Sequence, residues 1–156
     1  MKRIILFFAM AAVMTAVALA QAPKPIEWYM TARMTSETEG VMTITAEVAD
    51  GWHLYSTNLP ENAGSKATSI EISHPKSLTW TSGLRPSATV VEKEDPLFGV
   101  TLSWWDTTVT FTRTFTTSSP EAPGKIEVKV TFMGCNDQTC LPPSTVNLSR
   151  VIKPKK

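Results

Sequence analysis

Two stretches of strict apolar–polar alternation constrain this chain more tightly than any other feature. In 41–49, Met42, Ile44, Ala46 and Val48 fall on one side, while Thr43, Thr45 and Glu47 fall on the other. In 125–132, Ile126, Val128, Val130 and Phe132 alternate with Lys125, Glu127, Lys129 and Thr131. A two-residue period belongs to a β-strand, because a helix of about 3.6 residues per turn would scatter these apolar side chains around its circumference. Each stretch is therefore a strand with one face toward a core and one toward water. Helical periodicity is almost absent beyond residue 20. Further strands are predicted at 28–34, 52–56, 68–72, 89–93, 108–116 and 145–151, set apart by turn chemistry at Asp50-Gly51, Ser82-Gly83 and Pro123-Gly124. Many threonines suit half-exposed pleated faces, and short strands at this spacing favour packed antiparallel sheets over an open sheet with crossover helices. The predicted fold class is all-β, an immunoglobulin-like β-sandwich forming a single domain over 26–152.

The start of the chain has a different character. Lys2 and Arg3 precede an uncharged apolar run from Ile4 to about Val17, followed by Ala18-Leu19-Ala20 and then Gln21-Ala22-Pro23-Lys24-Pro25. That order is a cleavable secretory signal over 1–20 with a flexible linker over 21–25. The run also approaches the lower limit of about 17 residues for a membrane span, but small residues followed by a polar, proline-containing stretch favour cleavage. The expected product is a periplasmic or secreted protein without stable membrane insertion. Removing residues 1–20 leaves about 136 residues, enough for one domain with its own core. Two of the 15 basic residues lie in the signal, leaving 13 against 14 acidic ones. A chain so nearly balanced gives no sign of binding nucleic acid. Lys153, Lys155 and Lys156 form a solvated basic tail over 153–156.

The chain has two cysteines, Cys135 and Cys140, and an oxidising destination makes one disulfide the default. Four residues separate them, so this bridge is not the inter-sheet disulfide of an immunoglobulin domain, which joins cysteines distant in sequence. Gly134 permits an unusual backbone angle, and Pro142 and Pro143 are expected to stop ladder pairing just after the second sulfur. A loop this short stabilises by only about 2 kcal/mol in the chain-entropy account, against about 4.7 for a loop of roughly 100 residues. The pair therefore reads either as a thiol-exchange centre or as a hairpin clip. Zinc would need His53 or His74 as further ligands, and neither stands at a zinc-site spacing; no metal or cofactor is expected. No Lys, Arg or His adjoins either cysteine in sequence, and Asp137 between them disfavours a nearby thiolate. Trp52, Trp80, Trp104 and Trp105 suit either a core or an aromatic platform for protein or glycan. Arg113 interrupts the apolar face of Val109, Phe111 and Phe115, which suits a buried ion pair or a sheet edge.

Three segments carry a resemblance. Phe132-Met133-Gly134-Cys135 with Cys140-Leu141-Pro142-Pro143-Ser144-Thr145 resembles the active-site segment of the amino-terminal domain of DsbD, the bacterial thiol:disulfide interchange protein. Gly51-Trp52-His53-Leu54-Tyr55 is similar to that family's aromatic strand beside the site, and Glu94-Asp95-Pro96-Leu97-Phe98-Gly99 to its cap loop. This chain departs from the family pattern in having four rather than five residues between the cysteines, and Pro96-Leu97 in the cap. The resemblance implies an immunoglobulin-like domain that takes electrons from a thioredoxin-like protein, supplied in trans, and passes them to an oxidised periplasmic disulfide isomerase or cytochrome-maturation protein. Cys140 would form the mixed disulfide and Cys135 would resolve it. Asp95, Leu97, Phe98 and Gly99 would cap the sulfurs, with His53, Tyr55 and Asp137 lining the site. The alternative is a non-enzymatic immunoglobulin-like interaction module with a structural hairpin disulfide.

Overall fold

In the computed structural model, which describes residues 24–95 and 99–155, both alternating stretches become long strands of facing sheets. The strands in chain order are β1 (Ile26–Met34), β2 (Glu39–Val48), β3 (His53–Tyr55), β4 (Ser69–Ser73), β5 (Leu78–Trp80), β6 (Arg85–Pro86), β7 (Val91–Asp95), β8 (Val100–Trp105), β9 (Val109–Thr117), β10 (Gly124–Phe132), β11 (Gly134–Cys135) and β12 (Ser144–Ile152). Among the described residues there is no helix, hence none long and apolar enough to cross a membrane. One layer is a five-stranded sheet in the order β1-β2-β9-β5, with β6 also on β9. The other is built from a three-stranded sheet, β12-β10-β4, and a four-stranded sheet, β11-β3-β8-β7. The protein is thus all-β, with two packed antiparallel layers, as the alternation predicts.

The core is the set of inward positions of both layers. Met42, Ile44 and Ala46 of β2 meet Ile126, Val128 and Val130 of β10 in one buried cluster that also takes in Val109, Phe111 and Phe115 of β9. Fully burying an aliphatic side chain of this size contributes roughly 1.5–3 kcal/mol, so these alternating residues fix both register and layer. Trp28 stacks on Phe111 with centroids 6.3 Å apart and tilts against Phe132 at 5.5 Å. Trp105 meets Phe111 edge-on at 5.3 Å. On the opposite side of the five-stranded sheet, threonine hydroxyls pair across strands, Thr31 with Thr43 at 2.7 Å and Thr45 with Thr110 at 3.0 Å.

Several expectations need correction. An open tryptophan platform does not form, because Trp105 belongs to the core, while Trp52, Trp80 and Trp104 are half-buried. Arg113 neither pairs with a buried acid nor sits at an edge. It faces inward opposite Met42 on β9, inside the sheet. Its guanidinium lies 4.5 Å from the Trp80 ring centroid, and its Nε donates to the Ser82 carbonyl at 2.9 Å. The strand β8 is not among the predicted strands, although Val100, Leu102 and Trp104 alternate with Thr101 and Ser103; Trp105, on the same face as those two hydroxyls, joins the core. Gly134 does not have a positive φ; a Cβ there would come within 2.8 Å of Ile26 Cδ1, the movable end of that side chain.

A second glycine in a tight place gives a test of the packing. Gly40 pairs with Phe115, and a Cβ on it would penetrate that ring and approach the Arg33 carbonyl oxygen to 2.8 Å. Because backbone lies on one side and the core on the other, Gly40→Ala is expected to destabilise the protein by roughly 2 kcal/mol. Urea denaturation checks this, and an unchanged midpoint would show that Phe115 has room to withdraw.

Candidate functional site

The alternation of β10 runs without a break into β11, and this places the first cysteine. Phe132 points to the main core, Met133 away from it, Gly134 back toward Ile26, and Cys135 away again. At this point the chain leaves the three-stranded sheet and pairs with β3, Gly134 opposite Leu54 and Cys135 opposite His53. On its other side β3 pairs with β8, Leu54 opposite Trp105 and Tyr55 opposite Trp104. Leu54 and Trp105 face the core, so His53, Tyr55, Trp104, Leu102 and Cys135 share the outer face of the second layer.

A small separate apolar cluster covers that outer face. It consists of Tyr55, Ala63, Leu102, Met133 and Cys135, with Leu59, Val100 and Trp104 packed around it. Ala63 and Leu59 come from the segment 56–68, which folds back over the sheet. Its ends are tied together: Thr68 N donates to the Ser56 carbonyl at 3.0 Å, and Thr68 Oγ1 donates to the Tyr55 carbonyl at 2.5 Å. The Ser56 and Ser103 hydroxyls lie 2.5 Å apart and 3.0 and 3.2 Å from the Asn58 carbonyl oxygen, so that one donates to its partner hydroxyl and the other to that carbonyl. These buried hydroxyls are satisfied only in this loop conformation, which holds the cover in place.

A disulfide joins Cys135 and Cys140 across an antiparallel bridge with Cα atoms 4.0 Å apart. The loop between them is set by Asn136, whose Oδ1 accepts from Gln138 N at 2.9 Å and Thr139 N at 2.8 Å. Asn136 N donates to the Thr139 carbonyl, and Leu141 N to the Gly134 carbonyl, each at 2.9 Å. Pro142 and Pro143 then carry the chain, outside any ladder, to β12. The two cysteines differ sharply: Cys135 is 1% exposed, whereas Cys140 lies at the surface. Access helps decide which sulfur of a disulfide an incoming thiolate strikes, and in this respect the two residues differ.

Beside the bridge lies a cleft of about 610 Å³, bordered by His53, Tyr55, Trp104, Glu94, Asp106 and Asp137 among others. The His53 ring stands edge-on to Tyr55 at 5.2 Å and tilts against Trp104 at 5.1 Å. Burial holds its pKa below the ordinary value of 6.5, against the opposing pull of Asp137 and Asp106. The imidazole is therefore neutral at pH 7. Among the described residues no group of three or more His, Cys, Asp or Glu side chains could hold a metal ion. His74 packs instead against Trp80.

The structure places His53, Tyr55 and Asp137 around one cleft and Cys135, bonded to Cys140, opposite His53. Asp95 ends β7 opposite Val100, which packs on the second cluster, and Gly99, at φ 61°, precedes β8. Leu97 and Phe98 lie outside the described residues. Sequence reasoning missed the cover segment with Leu59 and Ala63, the apolar contacts of Met133 and Leu102, the cleft positions of Trp104 and Asp106, and the turn made by Asn136. An Asn directly after a cysteine in a four-residue loop is a turn signal that could have been read.

Comparison with known proteins is consistent with this geometry. The family model described as thiol:disulfide interchange protein DsbD, N-terminal, matches residues 20–151. The solved amino-terminal periplasmic domain of ScsB from Proteus mirabilis is similar at 17% identity and a TM-score of 0.52, over 81% of this chain and 47% of that one. The chain thus spans about half the length of that structure. The DsbD amino-terminal domain of Neisseria meningitidis in its reduced form aligns at 16% identity and a TM-score of 0.49, over 84% of this chain and 90% of that one. No curated protein matches the sequence.

The His53 environment predicts a pH dependence of stability. With its folded pKa below 6.5, the unfolded chain binds the His53 proton more readily. Stability from this group is therefore full above about pH 6.5 and is lost as pH falls toward the folded value. The thermal midpoint is expected to decline between about pH 7 and pH 5, and to decline less in His53→Gln. Equal slopes in the two proteins would show that the imidazole is not desolvated.

Proposed function

The chain belongs to the family of DsbD amino-terminal domains, and we propose that it is a periplasmic thiol:disulfide exchange domain that relays electrons through Cys135 and Cys140. The observation that carries this reading is the unequal burial of the two cysteines, one open to attack and the other sealed beside it. In the first half-cycle a thiolate of a reduced thioredoxin-like protein, acting in trans, attacks Cys140 Sγ. The Cys135–Cys140 bond breaks, its electron pair stays on Cys135 Sγ, and that sulfur takes up a proton. The donor's second thiol then attacks its own sulfur in the mixed disulfide and frees Cys140, leaving the donor oxidised.

In the second half-cycle the Cys140 thiolate attacks an oxidised acceptor, a periplasmic disulfide isomerase or a cytochrome-maturation protein. Cys135 displaces the acceptor from Cys140 and the internal bridge re-forms. Two electrons and two protons pass from donor to acceptor, and no cofactor is needed. The capping role that the family resemblance implies falls to Asp95, Leu97, Phe98 and Gly99, while His53, Tyr55 and Asp137 line the approach. Residues 1–20 act as the export signal, 21–25 as a linker, 26–152 as the exchange domain and 153–156 as a solvated tail. An exported location is supported by the description of the similar ScsB domain as periplasmic. Exposure of Cys140 speaks against a purely structural clip, which gains nothing from an accessible sulfur.

Two measurements test this function. The reduction potential of the pair, titrated in graded thiol buffers, is expected between about −120 and −270 mV, the span of exchange proteins. A value below roughly −300 mV would mark the bridge as structural and favour the interaction-module alternative. Cys135→Ser is expected to trap a thioredoxin-like protein as a stable mixed disulfide at Cys140. Cys140→Ser, which leaves only the buried sulfur, is expected to trap none.

A further inference from the structure

Exchange through this pair poses a proton problem at Cys135. To displace a partner from Cys140, Cys135 must act as a thiolate, yet it is 1% exposed and packed among Tyr55, Ala63, Leu102 and Met133. An apolar surrounding raises a thiol's pKa and starves the step of its nucleophile. Asn136, next to it in the chain, is uncharged, and Gly134 has no side chain. A base must come from across the sheet.

The strand pairing supplies one. Cys135 is directly opposite His53 on β3, so their side chains leave the same face with Cβ atoms about 5 Å apart. On its other flank Cys135 bridges to Cys140. Continuing the β3–β8 register by one residue beyond the Leu54–Trp105 pair sets Asp106 opposite His53. Asp106, His53, Cys135 and Cys140 therefore form one row across the sheet: carboxylate, imidazole, buried thiol and exposed thiol. We propose that His53 accepts the proton of Cys135 as it resolves the mixed disulfide, and returns a proton to it when the bridge is reduced. This assignment rests on the exchange function above.

In the resolving step the Cys135 Sγ–H proton passes to a ring nitrogen of His53. The sulfur's electron pair forms the bond to Cys140 Sγ, and the bond from Cys140 to the acceptor's sulfur breaks. The acceptor's thiolate leaves with that pair and takes the proton from the imidazolium, directly or through solvent. The acceptor's disulfide is the oxidant, and His53 ends neutral. The surroundings suit both states. Burial between Tyr55 and Trp104 keeps the resting imidazole neutral and ready to accept a proton, while Asp106 and Asp137 favour the cation once formed. The remaining charged groups facing the cleft are Asp50, Glu94 and Lys93, so acidic groups outnumber basic ones around the imidazolium.

The test follows single turnovers of the fully reduced protein with dithiobis(nitrobenzoate), a chromogenic aromatic disulfide. The first coloured thiolate reports attack by Cys140 and the second reports closure by Cys135. In the wild type the second rate constant is expected to level off above about pH 6.5, where His53 is neutral. In His53→Gln the ratio of second to first rate constants is expected to fall tenfold or more at neutral pH. The second phase should then climb roughly tenfold per pH unit toward a thiol pKa near 8.5 or above, and added imidazole should restore part of it. Asp106→Asn is expected to move the levelling point to lower pH. A wild-type second phase that climbs past about pH 8 without levelling overturns the inference without any variant. So does a His53→Gln protein whose two phases keep the wild-type ratio and pH profile. If the wild type releases no second equivalent, the exchange function itself fails and this assignment falls with it.

Discussion

The backbone pairing of Gly134 and Cys135 with Leu54 and His53 joins the strand that builds the core to the strand that builds the site. On the core side it packs Leu54 and Trp105 beside Phe132, extending the second layer past the end of the three-stranded sheet. On the outer side it sets Cys135 beside His53 and under the second apolar cluster. It also brings Gly134 close to Ile26, whose terminal Cδ1 would have to shift to admit a Cβ there. One short ladder thus fixes both the packing of the sandwich and the position of the only two sulfurs able to bond.

The burial difference within the disulfide follows from that ladder. Cys135 is in an edge strand, with β3 on one side, the bridge to Cys140 on the other and the 56–68 cover above it, whereas Cys140 follows the Asn136 turn at the molecular surface. The cover is held by hydroxyls buried among themselves, Ser56, Thr68 and Ser103, which is a demanding arrangement. Removing one partner would strand the others without hydrogen bonds, at about 1–3 kcal/mol for each group left unsatisfied. Satisfied, the network closes the outer face over Cys135 and leaves Cys140 open.

Much of this was legible in the chain. The parity of β10 is visible in 125–132, and an odd offset of three from Phe132 already sends Cys135 to the face opposite the core. The turn at Asp50-Gly51 is real, with Gly51 at φ 77°, and it delivers His53 and Tyr55 to the site in alternation. Also legible, though not among the predicted strands, was β8, whose Val100, Leu102 and Trp104 alternate with Thr101 and Ser103. The cover segment was also missed. Its residues, Leu59 and Ala63 among polar neighbours, have no repeating pattern, and their burial depends on a surface that exists only after the sheet has formed.

By itself the sequence determined the strands with one wet face, the all-β class, the pair of cysteines and their separation, since these depend on local periodicity and on spacing along the chain. The tertiary structure alone decided that Trp105 fills the core rather than a binding platform, that Arg113 lies over Trp80, and that Asp106 borders the same cleft as His53. It also decided which cysteine is sealed and which is open. Those outcomes depend on which strands pair and in what register, and register is set by the fit of both layers around one core, a property no local stretch of residues contains.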